Sequence, residues 1–302
     1  MEHMGQKLGQ HFLINEEKLK KVADALEINE GDVVIEIGPG HGELTQYLLE
    51  AGARVTALER DKALIDPLNK KFSAFANRGA FEVIEGNALE LLPMVVEELS
   101  CHPGEPCPEP AEWVAEGSVV NETDSSATPP AGGVARNDKH CKINYKIVGN
   151  IPYYITGYLL RVIEGLDHKP TRVVMTIQKE VAERMCAAVP HMNLLAASVR
   201  FWAEPVIVDI IPKKDFNPPP KVDSATVRLD VRQTEEVKGD VYYAFIKKIF
   251  TQPRKTIANN LAGKEGDKNA VADVLKRAGI DAKKRPQDLS MKDIYELIKI
   301  AL

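Results

Sequence analysis

The sequence predicts an α/β chain in which a largely parallel sheet is wrapped by helices and followed by a small all-α segment. Three observations predict this. Short apolar runs alternate with amphipathic stretches between residues 18 and 188. The first run ends in a cluster of glycines, as strands do where they turn sharply into a helix. From residue 236 onward only helical spacing remains.

The elements follow in order. Leu19, Val22, Ala23 and Leu26 share one face of a helix over 18–26. Val33–Ile37 has the composition of a buried strand and ends at glycines. A helix over 42–51 turns Leu44, Tyr47 and Leu48 inward, and a second strand covers 54–59. A helix over 64–75, a third strand over 81–85 and a helix near 91–99 come next. The fourth strand is expected over 142–148, a helix over 156–165, and a fifth strand over 172–177. Helix 178–188, a strand-like run over 206–211, a proline-rich turn over 216–221 and an alternating strand over 224–232 complete the sheet region. Helical patterns cover 242–250, 254–261, 270–278 and 291–301. The expected division is therefore 1–235 and 236–302.

Residues 101–140 interrupt this rhythm with Pro, Gly, Glu, Ser and Thr. Such composition buries too little apolar surface to offset its ordering entropy, so a disordered insertion is expected. Residues 97–138 carry a net charge of −8 within a chain of −5, which leaves +3 for the rest. Residues 200–302 carry +5, a balance that suits a nucleic-acid partner. No apolar run reaches the roughly 18 residues of a bilayer span. Residues 1–15 hold no apolar signal core, so a cytoplasmic protein is expected. The four cysteines form no tight CxxC pair, and free thiols without a metal are the expectation.

Two stretches carry chemistry. Glu36-Ile37-Gly38-Pro39-Gly40-His41-Gly42 joins the first strand to its helix, where glycines let the backbone approach a ligand. The G-x-G-x-G spacing after an acidic residue suits a ligand with an ammonium group, and S-adenosylmethionine fits. Glu59 ends the second strand, where a carboxylate can hold both ribose hydroxyls. Asn87 follows the third strand and is placed for the adenine amino group. A dinucleotide site, or a tight turn without ligand, uses similar glycines.

The second stretch is Asn150-Ile151-Pro152-Tyr153, after the fourth strand. An exocyclic amino nitrogen is a poor nucleophile because its lone pair is delocalised into the ring. Acceptors aimed at its N–H bonds counter that delocalisation. The Asn150 side-chain oxygen and the Ile151 carbonyl can be those acceptors. Pro152 fixes the turn, and Tyr153 or Tyr154 can stack on an unpaired or flipped base.

With these residues assembled, the chain resembles the ribosomal RNA adenine N6-dimethyltransferases of the KsgA type. The resemblance spans nearly everything outside 101–140. It rests on Gly9-Gln10-His11-Phe12-Leu13, the Glu36–Thr45 stretch, Glu59-Arg60-Asp61 and Asn150-Ile151-Pro152-Tyr153. Gln178–Met185, Phe216–Ser224, Arg254-Lys255-Thr256-Ile257 and Arg285-Pro286 complete it. It implies a Rossmann-like class I methyltransferase sheet with a small all-α C-terminal domain. The implied activity is transfer of two methyl groups from S-adenosylmethionine to each of two adjacent adenosines. These lie in a hairpin loop near the 3′ end of small-subunit ribosomal RNA, within an immature 30S-type particle. A monomer without membrane contact is expected.

The implied cofactor residues are Gln10, His11, Leu13, Gly38, Gly40, Glu59, Asn87 and Asn150. Lys213, Lys214, Lys221, Arg254 and Lys255 are the expected phosphate contacts. Three positions depart from the pattern. Asn87 stands where aspartate is usual, which removes a charge but keeps an acceptor. Asn193–Ser198 replaces a usual Tyr-Gly-x-Leu-Ser. Gln252-Pro253-Arg254-Lys255 holds one basic residue fewer than usual. An Erm-like methylase of large-subunit RNA and a non-catalytic assembly factor that keeps the fold are the alternatives.

Overall fold

The computed structural model describes residues 11–99, 143–232, 237–263 and 266–301. The acidic insertion expected over 101–140, Gln10, and three of the four cysteines lie outside the described residues.

In chain order the first half holds β1 (Phe12–Leu13), α1 (Glu16–Asp24), β2 (Val33–Ile37), α2 (Glu43–Glu50), β3 (Arg54–Glu59), α3 (Lys62–Lys71), α4 (Ser73–Ala76), β4 (Phe81–Glu85) and α5 (Ala88–Glu98). After 143 come β5 (Tyr145–Asn150), α6 (Thr156–Glu164), β6 (Arg172–Gln178), α7 (Lys179–Cys186), α8 (Leu194–Trp202), β7 (Ala203–Ile211), β8 (Phe216–Asn217) and β9 (Ser224–Val231). Four helices close the chain: α9 (Gly239–Ile249), α10 (Ile257–Ala262), α11 (Lys268–Arg277) and α12 (Met291–Ala301).

Seven strands form one sheet in the order β4-β3-β2-β5-β6-β9-β7, as the α/β expectation required. The pairs from β4 to β6 are parallel, and β9 is antiparallel to both its neighbours. The chain winds outward from β2 to β4 and then returns to β5 on the other side of β2. That reversal opens a crevice at the C-terminal ends of β2 and β5, where α/β sheets bind ligands. Successive strand residues face opposite layers. Val34, Val148 and Val174 pack with α1, α2 and α3, whereas Ile35, Ile147 and Val173 face α5, α6 and the C-terminal helices.

Local chemistry accounts for most boundaries. Asn15 and Asp61 cap α1 and α3 by accepting from Lys18 N and Ala63 N. The helix expected over 64–75 is broken at Phe72 (φ −105°) into α3 and the single turn α4. β5 begins and ends later than expected, so it carries Gly149 and Asn150 inside the sheet opposite Ile37 and Thr176. Arg254 and Lys255 precede α10 rather than lie in it.

One helix, α8, has no counterpart among the sequence expectations. Its run Leu194–Trp202 buries Ala196, Ala197, Val199, Phe201 and Trp202, and with Ser198 and Arg200 as its only polar residues it reads as one apolar run. It starts at Asn193, whose Oδ1 accepts from Ala196 N. The unusual 193–198 stretch therefore builds this helix start, and none of it lines the cleft described below. α8 also meets the C-terminal helices. The Phe201 and Tyr242 rings stack at 4.3 Å, and Tyr242 donates its hydroxyl to the Ala197 carbonyl at 2.8 Å. Residues on both sides of position 236 share one buried cluster.

Candidate active site

A cleft with about 940 Å³ of space, counting its open mouth, lies over the C-terminal ends of β2, β3 and β5. Among its lining residues are His11, Gly38, Gly40, Glu59, Asn87 and Asn150. Ile151, Pro152 and Tyr153 line it too. The structure thus gathers segments that are far apart in sequence.

The glycine turn forms the floor. Gly38, Gly40 and Gly42 have φ of +68°, +60° and +80°, which strains any side chain there. A Cβ on Gly38 would enter empty space, whereas one on Gly40 would lie 2.8 Å from the Phe12 ring. The first glycine therefore keeps the cleft open, and the second admits Phe12 against the loop. Glu59 holds the turn from the side. Its Oε2 accepts from Gly40 N at 3.2 Å and its Oε1 from Asp61 N at 2.8 Å. Burial raises its carboxyl above the ordinary range. Each Glu59 oxygen retains acceptor capacity for a ribose hydroxyl.

Glu36 lies behind the turn and is fully buried. The Thr45 hydroxyl donates to its Oε2 at 2.7 Å. Burial pushes the Glu36 carboxyl up to about 8. Lys71 ties the turn from outside by donating to the carbonyls of His41 (2.9 Å) and Gly42 (3.2 Å). Nothing in the sequence marked Lys71, and Thr45 entered only as the end of the matched Glu36–Thr45 stretch. Their roles arise from α3 and α2 lying against the turn.

Asn87 is divided between two tasks. Its Oδ1 accepts from Leu89 N at 3.2 Å, capping α5, and its Nδ2 donates to Glu90 Oε1 at 2.8 Å. It faces the cleft with one acceptor already in use.

The Asn150 amide is oriented by the N-terminal segment. Its Nδ2 donates to the His11 carbonyl at 2.7 Å. A carbonyl can only accept, so the amide nitrogen must face it and Oδ1 must face away. β1 is held in turn by antiparallel pairing with β8, Phe12 opposite Asn217 and Leu13 opposite Phe216. His11 Nδ1 donates to the Pro218 carbonyl at 2.8 Å. Tyr153 is half-buried, with its hydroxyl 3.1 Å from Ser224 Oγ and its ring 6.1 Å from that of His11. Burial raises the Tyr153 phenol. Phe216, which the sequence supplied only as part of a longer match, joins this wall of the cleft.

Other expected positions fall elsewhere. Leu13 is buried in the core and lines a small cavity behind the glycine turn, not the main cleft. Lys213 and Lys221 share an open groove with Lys179, Glu180, Glu183 and Asp223. Lys214 is exposed beside them. Arg254 and Lys255 are exposed in a turn that borders neither the cleft nor that groove. Asn260 pins this turn. Its Oδ1 accepts from Gln252 N, and its Nδ2 donates to the carbonyls of Gln252 and Thr256. Among the described residues, no group of three or more His, Cys, Asp or Glu side chains can hold a metal ion. No helix among them is long and apolar enough to cross a membrane.

Comparison with known proteins identifies relatives of the whole chain. A protein named ribosomal RNA small subunit methyltransferase A from Dehalococcoides mccartyi is 36% identical over 294 residues, 96% of this chain and 86% of that protein. One of the same name from Fusobacterium nucleatum is 30% identical over 98% of this chain and 96% of its own length. The solved structure of a dimethyladenosine transferase from Plasmodium falciparum superposes with a TM-score of 0.71 at 23% identity, covering 95% of this chain and 96% of that one. The 23S rRNA methyltransferase ErmE superposes at 0.66 and 22% identity, covering 96% and 98%. These two structures share the fold. A family profile described as ribosomal RNA adenine dimethylase matches residues 1–302, and the chain belongs to that family.

Proposed function

We propose that this chain transfers methyl groups from S-adenosylmethionine to N6 of two adjacent adenosines near the 3′ end of small-subunit ribosomal RNA, within an immature 30S-type particle. It acts as a cytoplasmic monomer. The carrying observation is the Asn150 amide, fixed by the His11 carbonyl so that its oxygen points away from the protein donor network. The sequences named small subunit methyltransferase A support the substrate class.

Gly38, Gly40, Glu59 and Asn87 would hold the cofactor. The open space at Gly38 and the remaining acceptor capacity of Glu59 fit its amino-acid and ribose parts. When bound, the cofactor supplies an electrophilic methyl group. Everything else is positioning by this chain. Asn150 Oδ1 and the Ile151 carbonyl accept from the adenine amino group and draw its lone pair out of the ring. Pro152 and its carbonyl, which accepts from Ile155 N at 3.1 Å, fix the turn that presents Ile151. Tyr153 stacks on the base. A methylated amino nitrogen is acidic and needs no dedicated strong base. In the second round one N–H remains, so the clamp works through a single hydrogen bond.

Residues 236–302 are proposed as a helical RNA-contacting domain beside the methyltransferase domain of 1–235. Lys213, Lys214, Lys221, Arg254 and Lys255 are proposed phosphate contacts. The test is transfer of labelled methyl groups to small subunits from a strain lacking the modification. Asn150→Ala is expected to abolish transfer and to leave particle binding intact. Unchanged turnover in that variant would remove the proposed clamp, and methylation restricted to large-subunit RNA would overturn the substrate assignment.

A further inference from the structure

Two tyrosines stand in solvent, one on the wall of the cleft and one on the helix that follows it. Tyr154 is 59% exposed and Tyr158 is 63% exposed, the highest values among the large apolar side chains described. Tyr154 lines the cleft directly, and Tyr158 lies in the first turn of α6. Thr156, Leu159, Leu160 and Ile163 turn the other face of this helix into the core. Tyr158 and Arg161, three residues apart, share the outward face of α6, and Tyr154 precedes the helix in the turn over 153–155.

Two neighbours shape this face. A Cβ on Gly157 would meet no atom within 4 Å, and its φ is not in the left-handed region. Neither packing nor backbone geometry requires a glycine there, and its small size leaves space beside both rings. Arg161 lies with its guanidinium carbon 5.9 Å from the centre of the Tyr158 ring. An exposed ring, a cation beside it and a second exposed ring, Tyr154, on the cleft wall match a stacking platform for single-stranded nucleic acid.

We infer that Tyr158, with Tyr154 and Arg161, receives the unpaired nucleobase next to the adenosine held in the cleft. This rests on the proposed function. A substrate with two adjacent adenosines presents a neighbour to whichever base is clamped. That neighbour must lie at the mouth of the cleft. The Tyr158 ring stacks on the base, and Arg161 faces the phosphate that follows it. Gly157 leaves the room that a ribose needs. The platform accepts a base before and after methylation, because stacking reads the π-face and not the amino group.

The test uses full-length protein and an RNA hairpin with two adjacent adenosines in its loop, one replaced by 2-aminopurine. Wild-type protein is expected to quench the probe. Tyr158→Ala is expected to lose the quenching and to raise the RNA KM by about tenfold or more, with kcat for the first methyl group nearly kept. Tyr158→Phe retains the ring and should restore both readouts. Gly157→Val should raise KM as well, since it fills the space beside the rings. Unchanged KM and quenching in Tyr158→Ala, with active wild-type protein, would overturn the inference alone. Wild-type protein that neither binds nor methylates hairpins or particles would instead overturn the proposed function. If Tyr158→Ala weakened particle binding without affecting the hairpin, this face would serve a ribosomal protein, and the inference would fall.

Discussion

Replacing Glu36 by glutamine should make the protein more stable, and increasingly so as pH rises. Glu36 is fully buried behind the glycine turn, with one neutral donor, Thr45, on its carboxyl. Burial lifts it from an ordinary value of 4.5 to about 8. Below 4.5 the folded and unfolded states both hold the proton, and the group is neutral to stability. Between 4.5 and about 8 the folded state holds a proton that the unfolded state has released, so stability falls as pH rises. Each pH unit in that window weighs about 1.4 kcal/mol against the fold. From pH 5.5 to 8.5 the accumulated loss is about 3 kcal/mol by this linkage. Glutamine keeps the shape and the acceptor for Thr45 but does not titrate. Glu59 is also raised by burial and is present in both proteins, and its repulsion is a lesser cause of the Glu36 shift, so most of its contribution cancels from the difference. Urea unfolding at half-unit pH steps measures the effect directly. The stability gap between variant and wild type should widen by about 3 kcal/mol across the range. A gap that stays constant within about 1 kcal/mol would refute the claim that Glu36 is folded around its proton.

Two further substitutions probe the frame of the site. Gly149→Ala would place a Cβ 2.4 Å from the Ile37 carbonyl oxygen and 3.1 Å from Ile37 Cβ, in the paired neighbouring strand. Neither atom is the tip of a flexible side chain, so a loss of about 3 kcal/mol is expected by urea unfolding, with methyl transfer falling as Asn150 shifts. A melting temperature equal to that of wild type would show that β2 and β5 can separate without cost. Asn260→Ala removes the amide that closes the turn carrying Arg254 and Lys255. It should cost about 2 kcal/mol, because backbone groups of Gln252 and Thr256 lose their buried partner. It should also weaken RNA binding measured at fixed salt. Normal RNA affinity in a destabilised Asn260→Ala protein would remove that turn from the RNA surface.

Much of the site was legible because its constraints are local. Three alternate positions of the turn are left-handed and demand glycines, and Gly38, Gly40 and Gly42 announce them without any tertiary context. The order of apolar strands and amphipathic helices gave the α/β class, since each strand here is short and bounded by turn chemistry. Glu59 was placed correctly at a strand end because a charged residue closing an apolar run has few other uses. α8 stayed hidden for the opposite reason. It holds only Ser198 and Arg200 as polar residues and joins directly to β7, so its short apolar run is not separated from a strand by sequence alone.

The sequence by itself determined the class of fold, the glycine turn, and the residue types of the proposed amino-group clamp, because these depend on backbone strain and chemistry within a few residues. Only the tertiary structure decided how the Asn150 amide is aimed. The orientation of the Asn150 amide depends on a carbonyl 139 residues away, and that carbonyl is held by β8, more than 60 residues further on. The same holds for Lys71 on the glycine turn, Asn260 on the basic turn, and the exposure of Tyr154 and Tyr158. Such contacts join segments whose separation along the chain carries no pattern. They form only when packing of the sheet and helices brings those segments to one place.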